Sequence, residues 1–143
     1  MFRIASRLLV LALALTFTLA ACGGAAANST ASTAPKTMTL TLNEFQFQPA
    51  DITANVGQPI KLVLKNNGTV LHDFVSTDAM VEVMEEHGAE HDMVGMHTAM
   101  HVAIEAGQES TLEFKATQPG TYTFYCTIAG HREAGMVGKL IVK

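Results

Sequence analysis

The chain has 143 residues, of which 48% are hydrophobic, and its formal net charge is −4 at pH 7. A chain of this length predicts one domain, long enough to bury a core without disulfide staples. Basic residues form no patch or stripe along the sequence, so nucleic acid is not an expected partner.

Residues 1–21 are typical of an export signal. Arg3 and Arg7 precede an apolar run of about 14 residues, which is too short to span a bilayer comfortably. The run ends in the sequence LAAC, which resembles a bacterial lipoprotein cleavage site and predicts lipidation of Cys22. Two or more acyl chains there would anchor the protein at a membrane surface. The alternative is ordinary signal cleavage with an incidental Cys22, and both interpretations place the protein outside the cytoplasm.

Residues 22–37 are small, polar and aperiodic, which is typical of a flexible tether. The folded domain is expected to occupy residues 38–143. The two cysteines of an exported protein first indicate a disulfide. Here each cysteine has a separate explanation, because Cys22 lies at the signal boundary and Cys126 lies in a cluster of metal-ligand residue types.

The sequence of the domain is typical of an all-β protein. Short runs of alternating, β-branched or aromatic residues are separated by turn signals rich in Gly, Pro and Asn. These runs are Thr39–Leu42, Ile60–Lys65, Thr111–Phe114, Tyr122–Cys126 and Lys139–Val142. Strands of this length and spacing predict a β-sandwich with Greek-key connections.

Segment 78–101 lacks this pattern of strands and turns, and its residues are compatible with a helix. Structureless loops of such length are uncommon in compact domains, so we expect a short helix or two covering one edge of the sandwich. The segment is rich in His and Met: His87, His91, His97, His101, Met80, Met84, Met93, Met96 and Met100. On helices, several of these would share a face and form a copper-loading or copper-buffering surface. The alternative is an amphipathic cover that packs on the sandwich and leaves its histidines exposed.

The cluster that carries chemistry lies near the C-terminus. Cys126, His131 and Met136 follow one another at five-residue intervals between two strand-like runs. Thiolate, imidazole and thioether donors together suit copper, and a His₂Cys set with a weak axial Met is typical of blue-copper sites. The second histidine should come from a different strand, and His72 lies at the start of a plausible strand after an Asn-Asn-Gly turn. The sequence therefore predicts one copper ion in a type 1 site.

At these residues the sequence resembles the cupredoxin (blue copper) family. The resemblance rests on NNGTVLHDF upstream and on Y-C-x₄-H-x₄-M-x-G-K-L-I-V at the end, and it covers the whole predicted domain. The Cys-to-His gap is similar to that of azurin, auracyanin and rusticyanin, and the His-to-Met gap is similar to that of plastocyanin and rusticyanin. The resemblance implies that His72, Cys126 and His131 are equatorial ligands and that Met136 is axial. It also implies that His131 lies near the surface as the electron exit.

One position departs from the family pattern. Many members have Asn directly after the first ligand histidine, where it ties two ligand loops together, whereas this chain has Asp73. A carboxylate accepts hydrogen bonds but cannot donate as an amide does, so the local bonding is expected to differ. The competing histidines for the His72 role are His97 and His101.

These features predict a single-electron carrier that cycles between Cu(I) and Cu(II). Four protein donors leave no open position for a substrate, so an enzyme is not expected. The alternative function is a periplasmic protein that stores or delivers copper through segment 78–101. The expected partners are redox proteins, and the membrane through a lipid anchor. Apolar residues beside His131 (Ile128, Ala129 and Met136) form a candidate docking patch, and the alternative is that they only pack within their loop. A monomer is expected.

Overall fold

The computed structural model describes residues 34–88 and 99–143, which form ten β-strands and no helix. The strands are β1 (Lys36–Asn43), β2 (Gln46–Gln48), β3 (Asp51–Ala54), β4 (Pro59–Asn66), β5 (His72–Ser76), β6 (Val81–His87), β7 (Met100–Ile104), β8 (Glu109–Ala116), β9 (Gly120–Tyr125) and β10 (Val137–Val142). All five runs that the sequence marked as strands lie in or overlap these elements. The all-β prediction is therefore confirmed.

The strands form two five-stranded sheets, with the orders β2-β1-β4-β8-β6 and β3-β10-β9-β5-β7. We call these sheet A and sheet B. The pairs β1–β4 and β3–β10 are parallel, and the other pairs are antiparallel. Strands that are distant in sequence become neighbours in both sheets. This connectivity is that of a β-sandwich and not of a meander.

The core lies between the two sheets, where alternate residues of each strand point inward. In β4, Ile60, Leu62 and Leu64 are buried, and the residues between them are partly exposed. Phe47, Phe74 and Phe124 meet at centroid distances of 4.8 to 6.4 Å. Two of these contacts are edge-to-face, an aromatic geometry that stabilises a core beyond the area that it buries.

The helix expected in segment 78–101 is wrong for the part of the segment that the structure describes. Residues 81–87 form β6, which pairs with β8, and residues 100–104 belong to β7, which pairs with β5. Helix propensities differ by only fractions of a kcal/mol per residue, about 0.7 at most for ordinary residues, so tertiary pairing overrides them. Without β6, strand β8 would present an unpaired edge to solvent. Residues 89–98, with His91, His97, Met93 and Met96, lie outside the described ranges.

Strand β1 begins at Lys36, two residues before the expected start of the domain. The predicted signal, Cys22 and the tether up to residue 33 lie outside the described ranges. Within those ranges, no helix is long and apolar enough to cross a membrane.

Candidate metal centre

Sheet B brings four chain segments to one end of the sandwich. His72 is the first residue of β5, Cys126 directly follows β9, and Met136 directly precedes β10. The antiparallel pairing of β9 with β5 and with β10 sets these positions side by side. His131 lies in the loop between β9 and β10. Residues far apart in sequence therefore converge because their strands are neighbours.

Three donor atoms from these segments face one another. Nδ1 of His131 lies 3.2 Å from Nδ1 of His72 and 3.6 Å from Sγ of Cys126. Nδ1 of His72 lies 3.9 Å from the same sulfur. Donors that share one borderline-soft ion, at bond lengths of about 2.0 to 2.3 Å, stand roughly 3 to 4 Å apart. The spacing of this triad therefore fits a single metal ion.

The β9–β10 loop is folded on itself by backbone hydrogen bonds. The N–H of Met136 donates to the carbonyl of His131 at 2.9 Å, and the N–H of Cys126 donates to the carbonyl of Met136 at 3.2 Å. Gly130 and Gly135 have φ values of 83° and 108°, a region that favours glycine. These turns place the fully buried Met136 beside the triad.

Burial controls the electrostatics of the site. Cys126 and His72 are fully buried, and His131 is 8% exposed. Burial raises the pKa of the Cys126 thiol to about 12, and backbone N–H groups of Asp73 and Ile128 act in the opposite direction. Burial, followed by the charge of His131, lowers the pKa of His72, so its neutral, ligand-competent form is favoured. The metal-free site is thus expected to hold a protonated thiol that ionises when it binds a metal.

The outer side of the His72 ring is closed by Gly68. A Cβ built on Gly68 would lie 2.5 Å from Nε2 of His72. Among the described residues this buried Nε2 has no hydrogen-bond partner. Nearby, the buried Asn66 side chain donates to the carbonyls of Val70 and Ile104, at 2.8 Å each, and shapes the loop that precedes His72. The imidazole is therefore positioned by close packing, with Nδ1 turned to the triad.

Asp73 joins the two ligand-bearing segments despite its departure from the family pattern. Its fully buried carboxylate accepts hydrogen bonds from the Thr127 N–H, at 2.6 Å, and from the Thr127 hydroxyl. Thr127 directly follows Cys126, so both of these donors come from the Cys126 side. In this chain the Asp73 carboxylate accepts both hydrogen bonds, and Thr127 donates both of them.

Of the residues expected at the site, the structure brings together His72, Cys126 and His131, and it places Met136 against them. His101 lies on β7, with Nε2 at 3.9 Å from an Asp73 carboxylate oxygen, outside the donor triad. His97 lies outside the described ranges. Met136 is fully buried, which favours the alternative of loop packing for this residue, whereas Ile128 is partly exposed and Ala129 is exposed.

Sequence reasoning missed two residues beside the site, Glu44 and Phe45, in the β1–β2 turn. Glu44 bonds to Thr69, and the Phe45 ring lies 5.2 Å from the His131 ring. The only available signal was an aromatic residue at a turn position between two polar residues. That signal could not be interpreted from the sequence, because the turn reaches His131 only in the folded structure.

A two-sheet β-sandwich with a buried His₂Cys triad and an adjacent Met defines a class of small metal-binding domains. The chain belongs to the cupredoxin-like family, whose domain model matches residues 9–142. Among curated relatives, the copper-resistant cuproprotein CopI of Rubrivivax gelatinosus is 35% identical over 100 residues, or 68% of this chain and 60% of the relative. The chloroplastic plastocyanin minor isoform of Arabidopsis thaliana is 36% identical over 97 residues, or 68% of this chain and 50% of the relative.

The match thus spans between half and three fifths of these relatives' own length. Solved structures share the fold. Auracyanin A of Chloroflexus aurantiacus, a blue copper protein, superposes with a TM-score of 0.58 at 21% identity and covers 77% of this chain and 100% of its own. The dithionite-reduced auracyanin of Roseiflexus castenholzii gives 0.57 at 23% identity, covering 75% and 96%.

Proposed function

We propose that this protein binds one copper ion in a type 1 site and carries single electrons. The observation that carries the proposal is the buried triad of His72, Cys126 and His131, whose donor atoms lie 3.2 to 3.9 Å apart. Soft thiolate with two imidazoles and a neighbouring thioether is the donor set that copper prefers. Copper bound there would supply reversible one-electron chemistry.

The protein's own residues supply rigidity and exclusion of water. His72 and Cys126 stand at strand ends of sheet B, so their separation is set by the backbone of the sandwich. Met136, proposed as the axial ligand, is held by backbone bonds to both Cys126 and His131. A frame that keeps one arrangement of donors in both oxidation states lowers the reorganisation that accompanies electron transfer. The Cys126 environment and the axial donor would set the potential.

A visible spectrum of the copper-loaded protein tests this proposal. We expect one tightly bound copper, an intense thiolate-to-copper absorption band and reversible one-electron voltammetry. Cys126→Ser should abolish the band, whereas His101→Ala, outside the triad, should retain it. Absence of the band in the wild-type protein, or its survival in Cys126→Ser, would contradict the proposal.

Electron exchange is proposed to occur at the His131 end. His131 is the only triad member with any exposure, at 8%, and exposed or partly exposed apolar residues such as Ala129, Ile128 and Phe45 surround that end. An apolar rim around a nearly buried ligand favours brief contact with a redox partner protein. Replacing Ala129 with Glu should slow electron exchange with a physiological donor and leave the visible band unchanged.

Copper storage or delivery is a second candidate function, favoured by the relative named as a copper-resistant cuproprotein. Met80 and Met84 are 49% and 54% exposed in the β6 region, and His87 is exposed on the same edge strand. A copper titration separates the candidates. A storage role predicts further copper equivalents that disappear when His87, His91, His97 and His101 are changed to Ala. Retention of a single equivalent in both proteins would exclude it.

We also propose that the protein acts outside the cytoplasm and is anchored through a lipid on Cys22. Support comes from the basic start, the short apolar run and the LAAC sequence that ends in Cys22. Cys22→Ser should move the protein from the membrane fraction to the soluble fraction and remove the acyl mass from its N-terminal peptide. An unchanged distribution between the two fractions would contradict anchoring.

A further inference from the structure

The turn between β1 and β2 touches both histidine-bearing parts of the site. Glu44 Oε1 accepts hydrogen bonds from the N–H of Thr69 at 2.5 Å and from its hydroxyl at 3.0 Å. Its turn neighbour, Phe45, meets the His131 ring edge-to-face, with centroids 5.2 Å apart and an interplanar angle of 77°. Two adjacent residues of one tight turn therefore contact the β4–β5 loop and the β9–β10 loop.

The Glu44 contact acts on His72 through the loop that precedes it. Thr69 follows Gly68, which packs directly against the His72 imidazole. The same Glu44 oxygen lies 3.0 Å from the Cβ position of Gly68. Backbone hydrogen bonding from Thr69 is the main cause of a lowered pKa for Glu44, which shows that its carboxylate form is favoured by this contact. Fixing Thr69 therefore fixes the glycine that closes the outer side of His72.

Phe45 has a costly conformation for its residue type. Its φ is 63°, in the left-handed region that favours glycine, and it is the only non-glycine residue with positive φ in the described ranges. The side chain is 48% exposed, so burial in the core does not account for the position. Strained backbone that persists beside a functional site is a reason to look for a role there. In this conformation the Phe45 ring contacts the His131 ring.

We propose that the Glu44–Phe45 turn is a clasp that positions both imidazoles, and that Phe45 fixes the His131 ring and shields it from water. Phe45 is a positioning residue, because it acts through His131 and not on the metal. The effect on a bound copper rests on the function proposed above. Shielding by an apolar ring disfavours the more highly charged oxidation state, so loss of the ring is expected to lower the reduction potential.

NMR of the metal-free protein tests the clasp independently of copper. Phe45→Leu and Phe45→Asn remove the aromatic ring, and Asn also tolerates the left-handed backbone. Both should shift the His131 ring resonances, because the ring current of Phe45 is lost, while Phe45→Tyr should keep them near the wild-type values. Val56→Ala is the matched control: Val56 is 44% exposed in the β3–β4 turn, at the opposite end of sheet A. It should leave His131 unchanged.

The Glu44 arm is tested by amide hydrogen exchange at Thr69. Glu44→Ala should speed this exchange and should not speed exchange in the β3–β4 turn. Copper-loaded Phe45→Leu should then show a lower reduction potential than both the wild-type protein and Phe45→Tyr, with the visible band retained. Unchanged His131 resonances in Phe45→Leu and Phe45→Asn would overturn the clasp. A missing visible band in wild type would instead overturn the copper carrier and leave the metal-free result valid.

Discussion

At the scale of single residues, the site depends on neighbours that bind no metal. Gly68 allows the His72 ring to lie where it does, and Asp73 holds the Cys126 side through Thr127. The ligands could be predicted from their types and spacing, because few sites other than a copper site combine thiolate, imidazole and thioether donors. The supporting contacts could not, since Thr127, Glu44 and Phe45 reach the site only through tertiary structure.

Gly68→Ala is expected to weaken metal binding. The new Cβ would meet Nε2 of His72 at 2.5 Å, so the imidazole or the loop must shift and Nδ1 loses its position in the triad. Disturbing a residue that orients a metal ligand typically lowers metal affinity about 10- to 100-fold. A competition titration with a copper chelator measures the change. The control is Gly120→Ala, whose Cβ would lie nearest the outer end of the Tyr122 side chain, at 3.0 Å. Equal affinities of the two variants would contradict the packing argument.

Thr127→Val is expected to destabilise the metal-free protein. It removes the hydroxyl that donates to the fully buried Asp73 carboxylate and leaves that oxygen undersatisfied. A buried acceptor that loses its donor typically costs about 1 to 3 kcal/mol in the free energy of unfolding, measurable by urea denaturation. Thr117→Val is the comparison, because its hydroxyl donates to the Met80 carbonyl at an exposed position. If both variants lose the same small amount, Asp73 does not depend on Thr127.

At the scale of elements, the strands that were easiest to predict are those with one buried and one solvated face. The run over β4 alternates cleanly, and its burial alternates in the same register. Strand β5 is buried along its whole length, so it shows no alternation, and β6 is exposed along nearly all of it. Pattern alone could not distinguish β6 from a surface helix, because its Glu and Met residues tolerate both. The segment forms a strand because it pairs with the edge of β8 that would otherwise be unpaired, and this contact is not visible in the sequence pattern.

Alternation in β8 gives a matched pair of variants. Leu112 is fully buried between the sheets, and Leu112→Ala should cost about 2 to 5 kcal/mol in unfolding free energy through lost contacts and a residual cavity. The next residue, Glu113, faces the other way and forms a part-buried ion pair with Lys61 at 2.8 Å. Glu113→Ala should cost about 1 kcal/mol, less than Leu112→Ala, since ion pairs that stay partly in contact with solvent contribute little. Thermal or urea unfolding distinguishes the two, and a reversed order would contradict the register of β8.

At the scale of the whole molecule, the sandwich excludes water from the site. This burial makes the stability of the metal-free protein fall at alkaline pH. Burial raises the pKa of Cys126 from 9.0 to about 12. The folded state therefore keeps this proton at pH values where the unfolded chain releases it. The resulting stabilisation is complete below the unfolded pKa and is lost as pH rises from 9.0 toward about 12.

Thermal unfolding of the metal-free protein across that window tests the linkage. Wild-type protein should lose stability more steeply with rising pH than Cys126→Ala, which carries no thiol and retains the other alkaline groups. The difference between the two curves isolates Cys126. Parallel curves would mean that the thiol ionises equally in both states and that the site is open to water.

The order of strands in sheet B has a consequence for how the protein is made. Cys126 and His131 are five residues apart, but His72 lies 54 residues before Cys126 and joins them only when β5 docks beside β9. In a nascent or unfolded chain only two of the three donors lie close together in sequence, and bringing in His72 requires closing a long loop that the sandwich closes on folding. A complete metal site therefore forms only in the folded domain, and the ion is expected to bind at the end of maturation.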